Sequence, residues 1–313
     1  MSNRTLLLRS AGYCLSAALL FAVCVSGSAF AAPPENAQGN PPPHAQGNPP
    51  AHDKKPIVLQ DLSTFYVGGT IEFNDCNDSN DCNSARFGPG NISVNAAYVE
   101  KATPANKKYK YPIVLMHGGG HNGQVYMTTP DGREGWFHSF IRRGFEVYVV
   151  DGSNRGRAGW DPVKRIQATA GLIDASEMEP TNTYSEHSGW TAFRWGPEHG
   201  VLYSNSQFPI DALNEYLPQL NPAYRDSEAN ALLAANISAL VEEIGDCILL
   251  GWSTGGLNVA TSMASSPEIA AKVKAFISVE GVDASARTPE RDTAVATRPT
   301  SISLGIEVIR NLL

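Results

Sequence analysis

The chain has 313 residues, 42% of them hydrophobic and 18% charged, with a formal net charge of −7 at pH 7. Such a composition supports a sizeable globular core, in one large domain or two small ones. The acidic balance argues against a nucleic-acid partner, which would call for a basic patch.

Residues 1–31 read as a secretory signal peptide. Arg4 and Arg9 supply a positive start, Ala11–Val25 is an uncharged apolar run, and Ala29-Phe30-Ala31 offers a small-x-small cleavage site before Ala32. The run is short for a membrane span, so no membrane anchor is expected after cleavage. The product is expected to be exported, to the periplasm or the extracellular space. Residues 32–56 form a Pro-, Gly- and Asn-rich linker in which AQGNPP occurs twice, at 37–42 and 45–50. This composition cannot bury a core and implies a disordered tether. His44 and His52 lie within it and are assigned no role.

From residue 57 to 313 the composition is that of a folded domain. Phe65–Phe73 and Ile92–Tyr98 are rich in β-formers and are expected to pair as antiparallel strands. Between them lies NDCNDSNDCN. Cys76 and Cys82 bracket this loop, and in an exported protein they are expected to form a local disulfide. The loop's acids do not make a calcium site: counting from Asp75, the twelfth position is Arg86 where an EF-hand needs Glu. No metal is expected. Cys247 lies in an apolar run and reads as core.

Further along, Tyr111–Met116 is a continuous apolar run, the mark of a strand covered on both faces. Glu134–Arg143 places Trp136, Phe137, Phe140 and Ile141 on one helical face, and Gly144 ends it. Phe145–Val150 is a second buried strand. Arg225–Ile244 is a helix with the stripe Leu233, Ile237, Leu240, Val241 and Ile244, and with Asp226 or Ser227 as its N-cap. Cys247–Leu250, a helix over Leu257–Ala264 and the strand Val273–Val279 follow. Strands alternating with helices predict an α/β fold with a mostly parallel sheet and helices on both faces. The exception is residues 153–223, rich in Trp, Tyr, Pro and Asn and without a strong period. They read as a cap insertion over the C-terminal sheet edge, where ligands bind in such folds.

Two motifs sit at predicted strand ends. HGGG (His117–Gly120) follows YPIVLM, and Gly251-Trp252-Ser253-Thr254-Gly255 follows CILL. The second has the form G-x-S-x-G, in which small flanking residues permit a sharp turn that lifts a serine above the sheet. In this order and spacing the chain resembles the α/β-hydrolase fold, in its serine esterase and lipase branch, over roughly residues 57 to 282. The resemblance implies Ser253 as a nucleophile toward carboxylic esters, a small-molecule substrate, and no organic cofactor or metal. It implies the amides of Gly119, Gly120 and Thr254 as oxyanion donors, with His117 shaping the loop. His121 either lines the site or is solvated.

The family order is Ser, then Asp or Glu, then His. Glu280 lies directly at the end of the strand Val273–Val279 and is the expected acid, as in secreted bacterial esterases that carry Glu there; Asp283 is second. The expected histidine is missing, because all seven histidines precede Ser253. The stretch after Glu280 is also too short for the family's last strands and His-bearing loop. Three readings follow: a C-terminally truncated esterase, an inactive α/β-hydrolase-fold binding protein, or a substitute base from His187 or His199. In the insertion, Trp190, Phe193, Trp195 and Phe208 either form an apolar substrate pocket or anchor the cap to the body.

Overall fold

The computed structural model describes residues 55–74, 89–178, 181–224 and 227–280. The expected signal peptide, most of the linker, Cys76, Cys82, the N-cap Asp226 and everything after Glu280 lie outside them.

Among the described residues the main sheet has six strands, in the order β1-β2-β4-β3-β7-β8. β1 (Leu59–Asn74) and β2 (Gly90–Pro104) form the expected antiparallel pair, each longer than its β-rich centre. β2 also runs antiparallel to β4 (Val147–Asp151). From there the sheet is parallel: β4 beside β3 (Ile113–Met116), β3 beside β7 (Cys247–Trp252), and β7 beside β8 (Val273–Val279). The apolar runs become central strands for a physical reason. Every residue of β3 and β4 is buried, because their alternate side chains enter two different cores. Val114, Met116 and Leu249 pack with Leu233, Ile237, Leu240 and Val241 of the long helix on one face. Ile113, Leu115 and Leu250 pack with Phe137 and Ile141 on the other.

The α-helices among the described residues are α1 (Trp136–Arg143), α2 (Val163–Thr169), α3 (Glu186–Ala192), α4 (Leu213–Tyr216), α5 (Ser227–Ile244), α6 (Thr254–Ser265) and α7 (Pro267–Lys272). α1 ends at Gly144 in the left-handed conformation, φ 99°, a C-cap that a Cβ would disfavour. The stripe read from α5 is buried as expected from Leu233 to Val241, with Ile244 half in. One expectation fails: Trp136 stays 42% exposed. It is the first residue of α1 and lies against the Tyr126 ring, while Phe137 and Ile141 take the inward face. The β4–α5 connection holds short helices and a two-residue strand pair, β5 (Thr181–Asn182) with β6 (Ala223–Tyr224). Its own core is Trp190, Trp195, Tyr216 and Leu220, with Phe193 and Phe208 packed on it. Those aromatics pack on one another, and Phe193 also meets His121 of the main body, 5.2 Å between ring centroids, as an anchor of the connection would.

Candidate active site

Ser253 joins β7 to α6 in one residue. Its backbone, φ 54° and ψ −126°, lies in a region that L-residues rarely adopt and that costs on the order of 1–3 kcal/mol. The turn can be this tight because its flanks carry no side chain. A Cβ on Gly251 would lie 2.6 Å from backbone atoms of Gly255 and Gly256, and one on Gly255 would lie 2.5 Å from the carbonyls of Met116 and His117. The Ser253 N–H donates to Val279 O at 2.9 Å, which ties the turn to β8. α6 begins at Thr254, earlier than the sequence suggested, so the Thr254 amide lies in the first turn, where no acceptor exists within the helix.

The glycine loop after β3 lies against this turn. A Cβ on Gly118 would fall 3.1 Å from the Ser253 Cβ, and one on Gly119 would fall 3.3 Å from Thr254 Oγ1. Two buried imidazoles fix the loop's peptides. His117 Nδ1 lies 2.8 Å from Gly118 O, and its Nε2 accepts the Gly152 N–H at 3.2 Å. His121 Nδ1 lies 2.8 Å from Gly119 O, and its Nε2 lies 2.6 Å from the Tyr216 hydroxyl. A carbonyl only accepts, so each Nδ1 carries the proton and each Nε2 accepts. Burial first, and then the nearby Arg155 charge, hold His117 well below its ordinary pKa; burial brings His121 down to about 4. Both rings are therefore neutral near pH 7. In a trans peptide the carbonyl of one residue and the N–H of the next point opposite ways. Pinning the Gly118 and Gly119 carbonyls on the imidazoles turns the N–H groups of Gly119 and Gly120 away from those rings.

The β4–α5 connection completes the loop's support. Gly120 O accepts the Asn221 N–H at 2.7 Å, and a Cβ on Gly120 would lie 2.8 Å from the Tyr184 ring. Asp151, at the end of β4, accepts the Gly123 N–H at 2.7 Å and pairs with Arg157 at 2.8 Å. Burial pushes this carboxyl up, but the Arg157 guanidinium and amide hold it below the usual range. His121 is fully buried, so of its two alternatives the solvated one fails. Tyr216, Asn221 and Tyr184 escaped sequence reasoning because they lie in an aperiodic segment, and Tyr216 meets His121 across 95 residues of chain.

Glu280 follows β8 directly, with φ 49°. Its Oε2 accepts a long 3.4 Å contact from Trp252 Nε1, and the residue is exposed. No described hydrogen bond joins it to a histidine. His199 is engaged by Glu186 at 3.0 Å and packs on His187 and Trp190. Among the described residues, no group of three or more His, Cys, Asp or Glu is arranged to hold a metal ion.

No protein-family model matches the chain. It is 30% identical over 194 residues to a probable secreted lipase, phiG, from a fungal species (strain ATCC 74256). That match takes in 62% of this chain and 46% of the relative, so the chain spans less than half the length of that curated protein. A solved structure described as a novel bacterial esterase superposes with a TM-score of 0.66 at 29% identity, over 73% of this chain and 70% of that one. By its sheet order, its motif order and its superposition on the esterase, this chain has the α/β-hydrolase fold, and it is similar in sequence to a lipase and an esterase.

Proposed function

We propose that the chain is built to hydrolyse carboxylic esters of small molecules through an acyl-enzyme on Ser253. The observation that carries this reading is the strained φ of Ser253 beside a glycine loop whose carbonyls at Gly118 and Gly119 are held by buried imidazoles. Ser253 Oγ attacks the ester carbonyl carbon and gives up its proton to a base. The carbonyl oxygen becomes an oxyanion that accepts from the amides of Gly119, Gly120 and Thr254. Fixed amides stabilise that charge without reorganising, and loss of one donor costs on the order of 10²–10³ in rate. The alcohol leaves, and water then releases the acid from Ser253. Glu280, at the end of β8, stands where the resemblance puts the acid that would orient a histidine base. No cofactor enters the scheme. Export is proposed on the signal-like residues 1–31 and on the name of the secreted relative.

The base is the open position. Every histidine precedes Ser253, and His117 and His121 have both ring nitrogens engaged. Among the described residues, no hydrogen bond joins Ser253 to a histidine. Loss of the base from a serine triad lowers kcat by on the order of 10⁶. The same observation favours the second reading, a fold that binds esters without turning them over. Added imidazole separates the two. With a chromogenic short-chain ester, imidazole should raise hydrolysis by the wild type above that by Ser253→Ala. Equal rates for the two proteins at every imidazole concentration would refute the acyl-enzyme reading and leave binding alone.

A further inference from the structure

The hairpin of β1 and β2 runs past the end of β4. β2 pairs with β4 from Tyr98 to Ala102, while its pairing with β1 continues to Gly90. Gly68 and Gly69 on one strand and Asn95 on the other carry left-handed backbones, φ 63°, 76° and 62°, and interrupt the pleat there. Asn154, after β4, is left-handed too, at φ 61°, and its Nδ2 donates to Asn95 Oδ1 at 2.9 Å. This bond braces the hairpin against the loop that follows β4. Between hairpin and loop lies a groove of about 350 Å³. That volume falls within the roughly 300–1,000 Å³ of small-molecule sites.

Two aromatic side chains line the groove from different elements, Tyr66 from β1 and Trp160 from the loop. Tyr66 is 60% exposed, yet its ring is held edge-on against Tyr98, 5.6 Å between centroids. Tyr98 lies in turn beneath the Arg157 guanidinium at 4.3 Å. The rest of the lining includes Ser93, Asn95, Asn154 and Ala158, and holds no Asp, Glu, Lys, Arg or His. Arg157, nearby, is already paired with Asp151 and Glu100. A charged ligand therefore meets no counter-charge in the lining. A wholly apolar ligand would cover polar groups without bonding them, because Ser93 Oγ and Asn95 Nδ2 make no hydrogen bond among the described residues.

The groove thus suits a ligand that is neutral, apolar on both faces and polar around its edge. A pyranose with every hydroxyl equatorial has that form, since only C–H bonds project from its two faces. We propose that this groove binds one such ring, a β-glucopyranoside, with its C–H faces on Tyr66 and Trp160 and its hydroxyls on Ser93 Oγ and Asn95 Nδ2. β4 and β3 separate β2 from the strand that leads to Ser253, about 14 Å of sheet. Sugar binding there is independent of the chemistry at Ser253.

Saturation-transfer NMR and calorimetric titration of the full chain with methyl β-D-glucopyranoside test it. Transfer is expected to the ring protons of both sugar faces. Methyl β-D-galactopyranoside, which raises one axial hydroxyl from a face, should bind more weakly. Tyr66→Ala, at an exposed position, should weaken glucoside binding about tenfold with little change in the urea midpoint. Ser253→Ala should bind the glucoside as the wild type does, which keeps failure of the sugar site apart from failure of the acyl-enzyme reading. No transfer, equal binding of the two sugars, or glucoside binding unchanged by Tyr66→Ala would overturn the proposal. The comparison of the two sugars on the wild type stands even if the Ala variant does not fold.

Discussion

At the scale of the residue, Ser253 stores strain. Its φ of 54° with ψ −126° is glycine territory, and the surrounding close contacts hold it there. Ser253→Gly should raise stability by about 1–2 kcal/mol over Ser253→Ala, since both lose the hydroxyl and only Gly relieves the backbone. Urea unfolding midpoints of the two variants measure this; a Gly variant no more stable than the Ala variant would mean that the turn is unstrained. This part of the site was legible in the sequence for a steric reason. A turn this tight needs glycine at 251 and 255, and that need writes a local pattern. Tyr216 wrote none. Its importance lies in a partner, His121, reached only in three dimensions.

At the scale of the element, the loop after β3 is held from two sides. His117 ties it to the β4 end through Gly152, and His121 ties it to α4 through Tyr216. The strands and α5 were readable because continuous apolarity and a 3.6-residue stripe reflect burial directly. The β4–α5 connection was not, because its aromatics pack on one another without a helical or strand period. Tyr216→Phe keeps that packing and removes one hydroxyl. It leaves the buried His121 Nε2 without a donor, which should cost about 1–3 kcal/mol of stability. Hydrogen exchange at the Gly120 amide should also quicken, since the chain His121–Gly119 loses its anchor. Unchanged exchange and an unchanged urea midpoint would show that Tyr216 does not support the loop.

At the scale of the whole molecule, the two buried imidazoles set an acid limit. Each ring is neutral when folded and takes up a proton near pH 6.5 when unfolded. Their contribution is complete above about pH 6.5 and is lost as pH falls toward the folded values, about 4 for His121. At pH 5 the loss should be on the order of 2 kcal/mol for each ring. Asp151 and Glu146, held below their ordinary 3.8 and 4.5, weaken only at lower pH, so the window from pH 6.5 to 5 belongs to the histidines. Urea midpoints should fall across that window, and His121→Gln should flatten part of the slope; a flat profile for the wild type would contradict neutral burial. On the proposed acyl-enzyme scheme, Ser253 is the reactive group of the fold. Intact-mass and peptide mapping after exposure to a fluorophosphonate, with imidazole present, tests it most directly. One adduct is expected, on Ser253, and none on Ser253→Ala. No adduct, or an adduct on another residue, would contradict it.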